Sequence, residues 1–154
     1  MTTRMLTALI LGTAVFALAC GGSEPPPPQP AVQPVAVVQD HYSGHWEGAA
    51  RISTPIPGMP EQMDIVAVLV EGGGAQCGTI EYSHAGCSGT WDCVGTDYGS
   101  EALVINENIR VNVERCPQGA TVELHRTADP NVLEFRWTHP NGAAVGQINR
   151  RRIQ

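Results

Sequence analysis

Val132-Leu133-Glu134-Phe135-Arg136-Trp137-Thr138-His139, then Pro140-Asn141-Gly142, then Ala143-Ala144-Val145-Gly146-Gln147-Ile148, is the stretch that decides the fold. Leu133, Phe135 and Trp137 alternate with Glu134, Arg136 and Thr138. That period of two puts successive side chains on opposite faces of a strand. Asn141-Gly142 in the gap is a strong hairpin signal, because both residues tolerate positive φ. Two antiparallel strands therefore close the C-terminal end of the chain.

The same signals recur upstream, and almost no helical periodicity interrupts them. The expected strands are Gly44–Ile52, Met63–Glu71, Gln76–Tyr82, Ser88–Val94, Ala102–Ile109, Ala120–Arg126, Val132–Thr138 and Ala143–Arg151. Gly72-Gly73-Gly74 and Asp129-Pro130-Asn131 mark turns between them. Short sequential strands joined by tight turns predict an all-β fold, an antiparallel up-and-down barrel of about eight strands. Closure removes the unpaired edges of an open sheet. An eight-stranded interior is just filled by side chains, or holds one small ligand. Ile65-Val66-Ala67-Val68-Leu69-Val70 is apolar on both faces, so something is expected to cover its second face. The loop Ser53-Thr54-Pro55-Ile56-Pro57-Gly58-Met59-Pro60 has two readings. It is either a lid over one barrel end or a stiff connection whose Ile56 and Met59 pack on the core edge.

Three segments follow: a signal peptide over 1–19, a proline-rich linker over 20–40, and one domain over 41–154, long enough for a single core. After the signal the chain keeps eight Arg against fifteen Asp and Glu, a net charge near −7. That balance argues against nucleic acid, since no sustained basic groove is available for phosphates. There is no lysine in the chain, which excludes Schiff-base chemistry. Cys77, Cys87, Cys93 and Cys116 are an even set in an exported domain and read as two disulfides. Three pairings are open. Cys77 and Cys93 flank the turn at Ser83–Gly86 symmetrically, which favours that pair and leaves Cys87 with Cys116. No CxxC pair supports a zinc site, so no metal is expected.

Nothing in the chain reads as catalytic. His41, His45, His84, His125 and His139 are scattered over strand ends and turns. No serine sits in a GxSxG elbow, and no glycine-rich phosphate loop precedes a helix. Glu81, Asp92 and Glu107 lie on expected strands and would be candidates to point inward. A buried carboxylate is more often structural than an acid/base group. No cofactor is expected.

Gly44-His45-Trp46 at the start of the first strand resembles the GxW motif of the lipocalin or calycin group. The resemblance implies a calycin-like barrel in which Arg150 or Arg151 packs over the Trp46 ring. Thr96-Asp97-Tyr98 spells that family's TDY triplet but stands far too early in the chain to be its second motif. By the same resemblance, a small apolar or amphipathic ligand would be lined by Trp46, Tyr82, Trp91, Phe135 and Trp137. The segment from Cys77 to Trp91 is also similar to small bacterial exported domains, which supports the fold and carries no activity.

The N-terminus resembles a bacterial lipoprotein signal. Arg4 gives a positive start, Met5–Ala19 is an uncharged apolar run, and Phe16-Ala17-Leu18-Ala19-Cys20 fits a lipobox. The resemblance implies cleavage before Cys20 and lipidation of its thiol. Several acyl chains give firm anchoring, since each buried methylene adds about 0.8 kcal/mol. Gly21 follows Cys20 in place of the aspartate that marks inner-membrane retention, which implies the outer membrane. Pro25-Pro26-Pro27-Pro28-Gln29-Pro30 and Pro34 then predict a stiff, extended tether. The expected protein is a membrane-anchored binding protein, not an enzyme. Its partner would be a small apolar ligand, or an envelope protein if the domain is a lysozyme or protease inhibitor or a structural module.

Overall fold

The computed structural model describes residues 41–56, 59–70, 75–97 and 101–152. Residues 1–40, with the expected signal peptide, Cys20 and the proline-rich stretch, lie outside the described residues, as do Gly72-Gly73-Gly74, Tyr98 and the centre of the Ser53–Pro60 stretch. Eight strands follow in order: β1 (Gly44–Ile52), β2 (Gln62–Leu69), β3 (Gln76–Tyr82), β4 (Cys87–Asp97), β5 (Ala102–Val111), β6 (Thr121–Arg126), β7 (Val132–His139) and β8 (Gly142–Arg150). Each pairs antiparallel with the next. β8 returns to β1, from Trp46↔Arg150 to Ile52↔Ala144, and closes the barrel. The up-and-down barrel read from the alternation is therefore the fold.

The inward residues are the in-phase apolar ones. Met63, Ile65, Ala67 and Leu69 come from β2, and Leu103, Ile105 and Ile109 from β5. Val122 and Leu124 come from β6, and Leu133, Phe135 and Trp137 from β7. Burying each large side chain contributes about 1.5–3 kcal/mol, and the interior is one continuous cluster. Two disulfides bind it, Cys77–Cys93 and Cys87–Cys116, with Cα atoms 5.7 and 6.4 Å apart. This is the pairing that the hairpin symmetry favours. Cys77–Cys93 ties β3 to β4 next to the register shift between Gln76 and Gly78. Cys87–Cys116 ties the start of β4 to the β5–β6 loop.

Several strand ends shift by one or two residues from the sequence reading, and two differences have a local physical cause. β4 runs past Val94 to Asp97, because a bulge at Cys93/Gly95 lets Gly95, Thr96 and Asp97 continue the ladder with Val104, Leu103 and Ala102. Pairing with β5 outweighs the weak strand propensity of that polar run. The β7–β8 hairpin turns one residue earlier than Asn-Gly suggests. His139 pairs with Gly142, so Pro140 and Asn141 are the loop. Neither Asn141 nor Gly142 has positive φ. Pro140 takes the first central position, where its fixed φ suits an ordinary turn.

Gly142 serves packing instead. A Cβ there would lie 2.5 Å from Ile56 Cγ1. The loop between β1 and β2 thus lies on the β7–β8 hairpin, with Ile56 buried and Met59 packed on the core. Ser53 fixes it there: its N–H and its hydroxyl both donate to the Ala143 carbonyl, at 2.8 and 2.9 Å. Of the two readings of this loop, the stiff connection packed on the core edge describes these residues.

Candidate functional site

Two clusters of polar atoms are built into the barrel. The first is interior. Along β5, Leu103, Ile105, Glu107 and Ile109 share the inward phase, so Glu107 is carried inside with the apolar residues. It is 2% exposed, and it is the buried charged residue among those described. Trp91 stands directly opposite on β4. Its Nε1–H donates to Glu107 Oε2 at 3.2 Å, and the Tyr82 hydroxyl from the end of β3 donates to the same oxygen at 2.5 Å. Trp137 Nε1–H, from β7 across the interior, donates to Oε1 at 3.1 Å. One carboxyl group thus holds three strands that are not all neighbours.

Burial pushes the Glu107 carboxyl above the usual carboxylate range, and the bonds from Tyr82, Trp137 and Trp91 pull it partway back. Burial and the adjoining carboxylate push the Tyr82 phenol well above its ordinary value. A group sealed in this way cannot meet a substrate. Its chemistry is to accept hydrogen bonds that would otherwise leave two indoles and a phenol unsatisfied in an apolar core. Among the described residues every buried side-chain nitrogen and oxygen has a partner.

The second cluster closes the lower end, where the chain enters β1. Arg150 of β8 lies over the Trp46 ring, 4.5 Å from its centre. Its two Nη atoms donate to the Ser43 and His41 carbonyls at 2.5 and 2.9 Å. Trp46 Nε1–H donates to the Tyr42 carbonyl at 2.8 Å, and the Tyr42 hydroxyl to the Glu101 carbonyl at 2.5 Å. Gly44 is demanded twice here: its φ is +126°, and a Cβ would lie 2.8 Å from Arg150 Nη1. No protein-family model and no curated protein matches the chain.

Trp46, Tyr82, Trp91, Phe135 and Trp137 are all brought into the barrel, each 0–2% exposed. All five are packed into the core cluster with almost no accessible surface. The polar atoms of four of them are engaged within the fold. Glu81, by contrast, is exposed on β3, and Asp92 points outward on β4, where it accepts from Asn108 Nδ2 at 2.7 Å. Arg136 pairs with Glu134 at the surface, 2.6 Å apart.

The histidines do not converge. His84 pairs with Asp64, His125 with Glu123, and His139 stacks on Trp137. Among the described residues no group of three potential metal ligands comes together. At the upper rim a groove of about 560 Å³ is lined by Met59, Pro60, His84, Ala85 and Arg115. The Glu107 cluster escaped the sequence reading as a cluster, as did the burial of Tyr42, which lies outside any strand.

Proposed function

We propose that this protein is an outer-membrane lipoprotein, held through Cys20, whose lipocalin-like barrel is a non-catalytic binding module that engages a protein partner on its outer surface. The observation that carries this reading is the engagement of the interior. Tyr82, Trp91 and Trp137 turn their donors to Glu107, and Trp46 turns its own to the Tyr42 carbonyl. A binding site inside the barrel would have to break these bonds, so recognition falls to the outside. The lipobox resemblance supports the anchor, and the Arg150–Trp46 contact supports the calycin likeness. The acidic balance of the exported chain favours a basic partner, since complementary charge raises the rate of encounter. An inhibitor of lysozyme or of an exported protease is the form this reading takes.

The test is native mass spectrometry of the mature domain purified from the host envelope. The expected result is the mass of the polypeptide plus the acyl groups on Cys20, short of the hydrogens lost to two disulfides and with no other small molecule retained, together with a protein complex in the gentlest preparations. A small molecule retained in stoichiometric amount would overturn the outer-surface reading and make the barrel a carrier.

A further inference from the structure

The charges of this barrel are segregated along the chain. Between positions 52 and 109 there are eight Asp and Glu and not one Arg or Lys. All eight arginines that follow the signal segment lie outside that span, at Arg51 and from Arg110 onward. The register converts this into a surface. The outward residues of β2, β3 and β4 form rows across the sheet, Val66–Glu81–Ser88 and Val68–Thr79–Thr90, with Gln76 beside Asp92. Val70 and Val94, each 55% exposed, continue the apolar stripe toward the lower end. Among the described residues nothing takes those two valines out of water, although the doubly apolar β2 sequence calls for a cover. The charged side chains described on this face are carboxylates, namely Asp64, Glu81 and Asp92. His84 meets Asp64 at the upper end, and Arg110 borders the face on β5.

Resting on the reading of the protein as an outer-surface binding module, we infer that the outward face of β2–β4 is the docking surface. Its occupant is a protein patch with an apolar centre ringed by Arg and Lys. The valines supply apolar area to desolvate, and the carboxylates select the sign of the rim. Arginine comes in only at the borders: Arg51 and the Arg151–Glu47 pair lie across β1, Glu47 standing opposite Val66, while on the far wall Arg136 is already bonded to Glu134.

Site-specific photo-crosslinking of the full chain in its host decides the matter. A photoreactive residue is placed at exposed Thr79 on the proposed face or at exposed Gln147 on β8. The expected result is a Thr79 adduct whose cross-linked peptide is rich in Arg and Lys. Glu81→Arg should weaken that adduct about fivefold or more, since a like charge now faces the partner. The milder Glu81→Gln should weaken it less. Adducts from Gln147 alone would overturn this face and leave the binding-module reading standing. Adducts from neither position would overturn both. A Thr79 adduct with a neutral or acidic peptide, or one indifferent to both Glu81 variants, would overturn the basic partner.

Discussion

Glu107 is an acid kept out of water and surrounded by neutral donors. Its carboxyl is raised above the ordinary value of 4.5, so the folded chain holds this proton to higher pH than the unfolded chain does. The sign follows from linkage: stability from this site is fully present below the unfolded pKa and declines as pH rises through the folded one. Glu107→Gln separates the charge from the hydrogen bonds. The amide nitrogen can donate to the Tyr82 hydroxyl, but it leaves the Trp91 N–H facing another donor. Near pH 4 the variant should be less stable than wild type by about 1–3 kcal/mol, the cost of one unsatisfied buried group. That gap should narrow as pH rises toward 8, because only wild type ionises. Urea unfolding across the pH range measures it, and a gap that widens with pH would place the folded pKa below 4.5.

At the scale of the element, the two disulfides act on different things. Cys77–Cys93 closes 16 residues within a β-hairpin, whereas Cys87–Cys116 closes 29 and holds the β5–β6 loop to β4. Loop-closure entropy predicts about 3 kcal/mol for each, slightly more for the longer loop. Replacing Cys87 and Cys116 by Ala should therefore lower stability by about that much and raise hydrogen exchange locally in residues 112–120. Unchanged exchange there would mean that the ladder, not the bridge, holds the loop. The elements were largely legible in the sequence because period-two alternation and turn residues are local. β7 illustrates this, with Leu133, Phe135 and Trp137 all inside. The inward acid was legible in part. Glu81 is out of phase with Ile80 and Tyr82, and Asp92 with Trp91 and Cys93, while Glu107 is in phase with Ile105 and Ile109. Phase alone would have selected Glu107 from the three candidates. Its meeting with Trp137 was not legible, because that contact crosses the interior between strands far apart in sequence.

For the whole molecule, closure between β1 and β8 brings the two ends of the domain together. Arg151 N–H donates to the His45 carbonyl at 2.8 Å. A short linker from residue 152 to residue 41, with the chain reopened in the exposed Asp129-Pro130 turn, should thus keep the fold. Near-ultraviolet circular dichroism of this permutant should match wild type, since Trp46, Trp91 and Trp137 keep their surroundings. Loss of that signal would show that the order of the strands, not only their pairing, is needed to fold. Most pairs here join neighbours in sequence, so the late step in folding should be the single long-range seam of β1 with β8.

The lower clamp also has a mechanical side. A pull delivered through the residues before His41 arrives at Arg150, Trp46 and the turn at Glu101 together. Tension is then shared by the first strand, the last strand and the β4–β5 turn, instead of unzipping β1 from its N-terminal end one pair at a time. The clamp works as a strain relief, like the collar where a cable enters its housing. Single-molecule pulling through the N-terminus should show Arg150→Met rupturing at lower force than wild type.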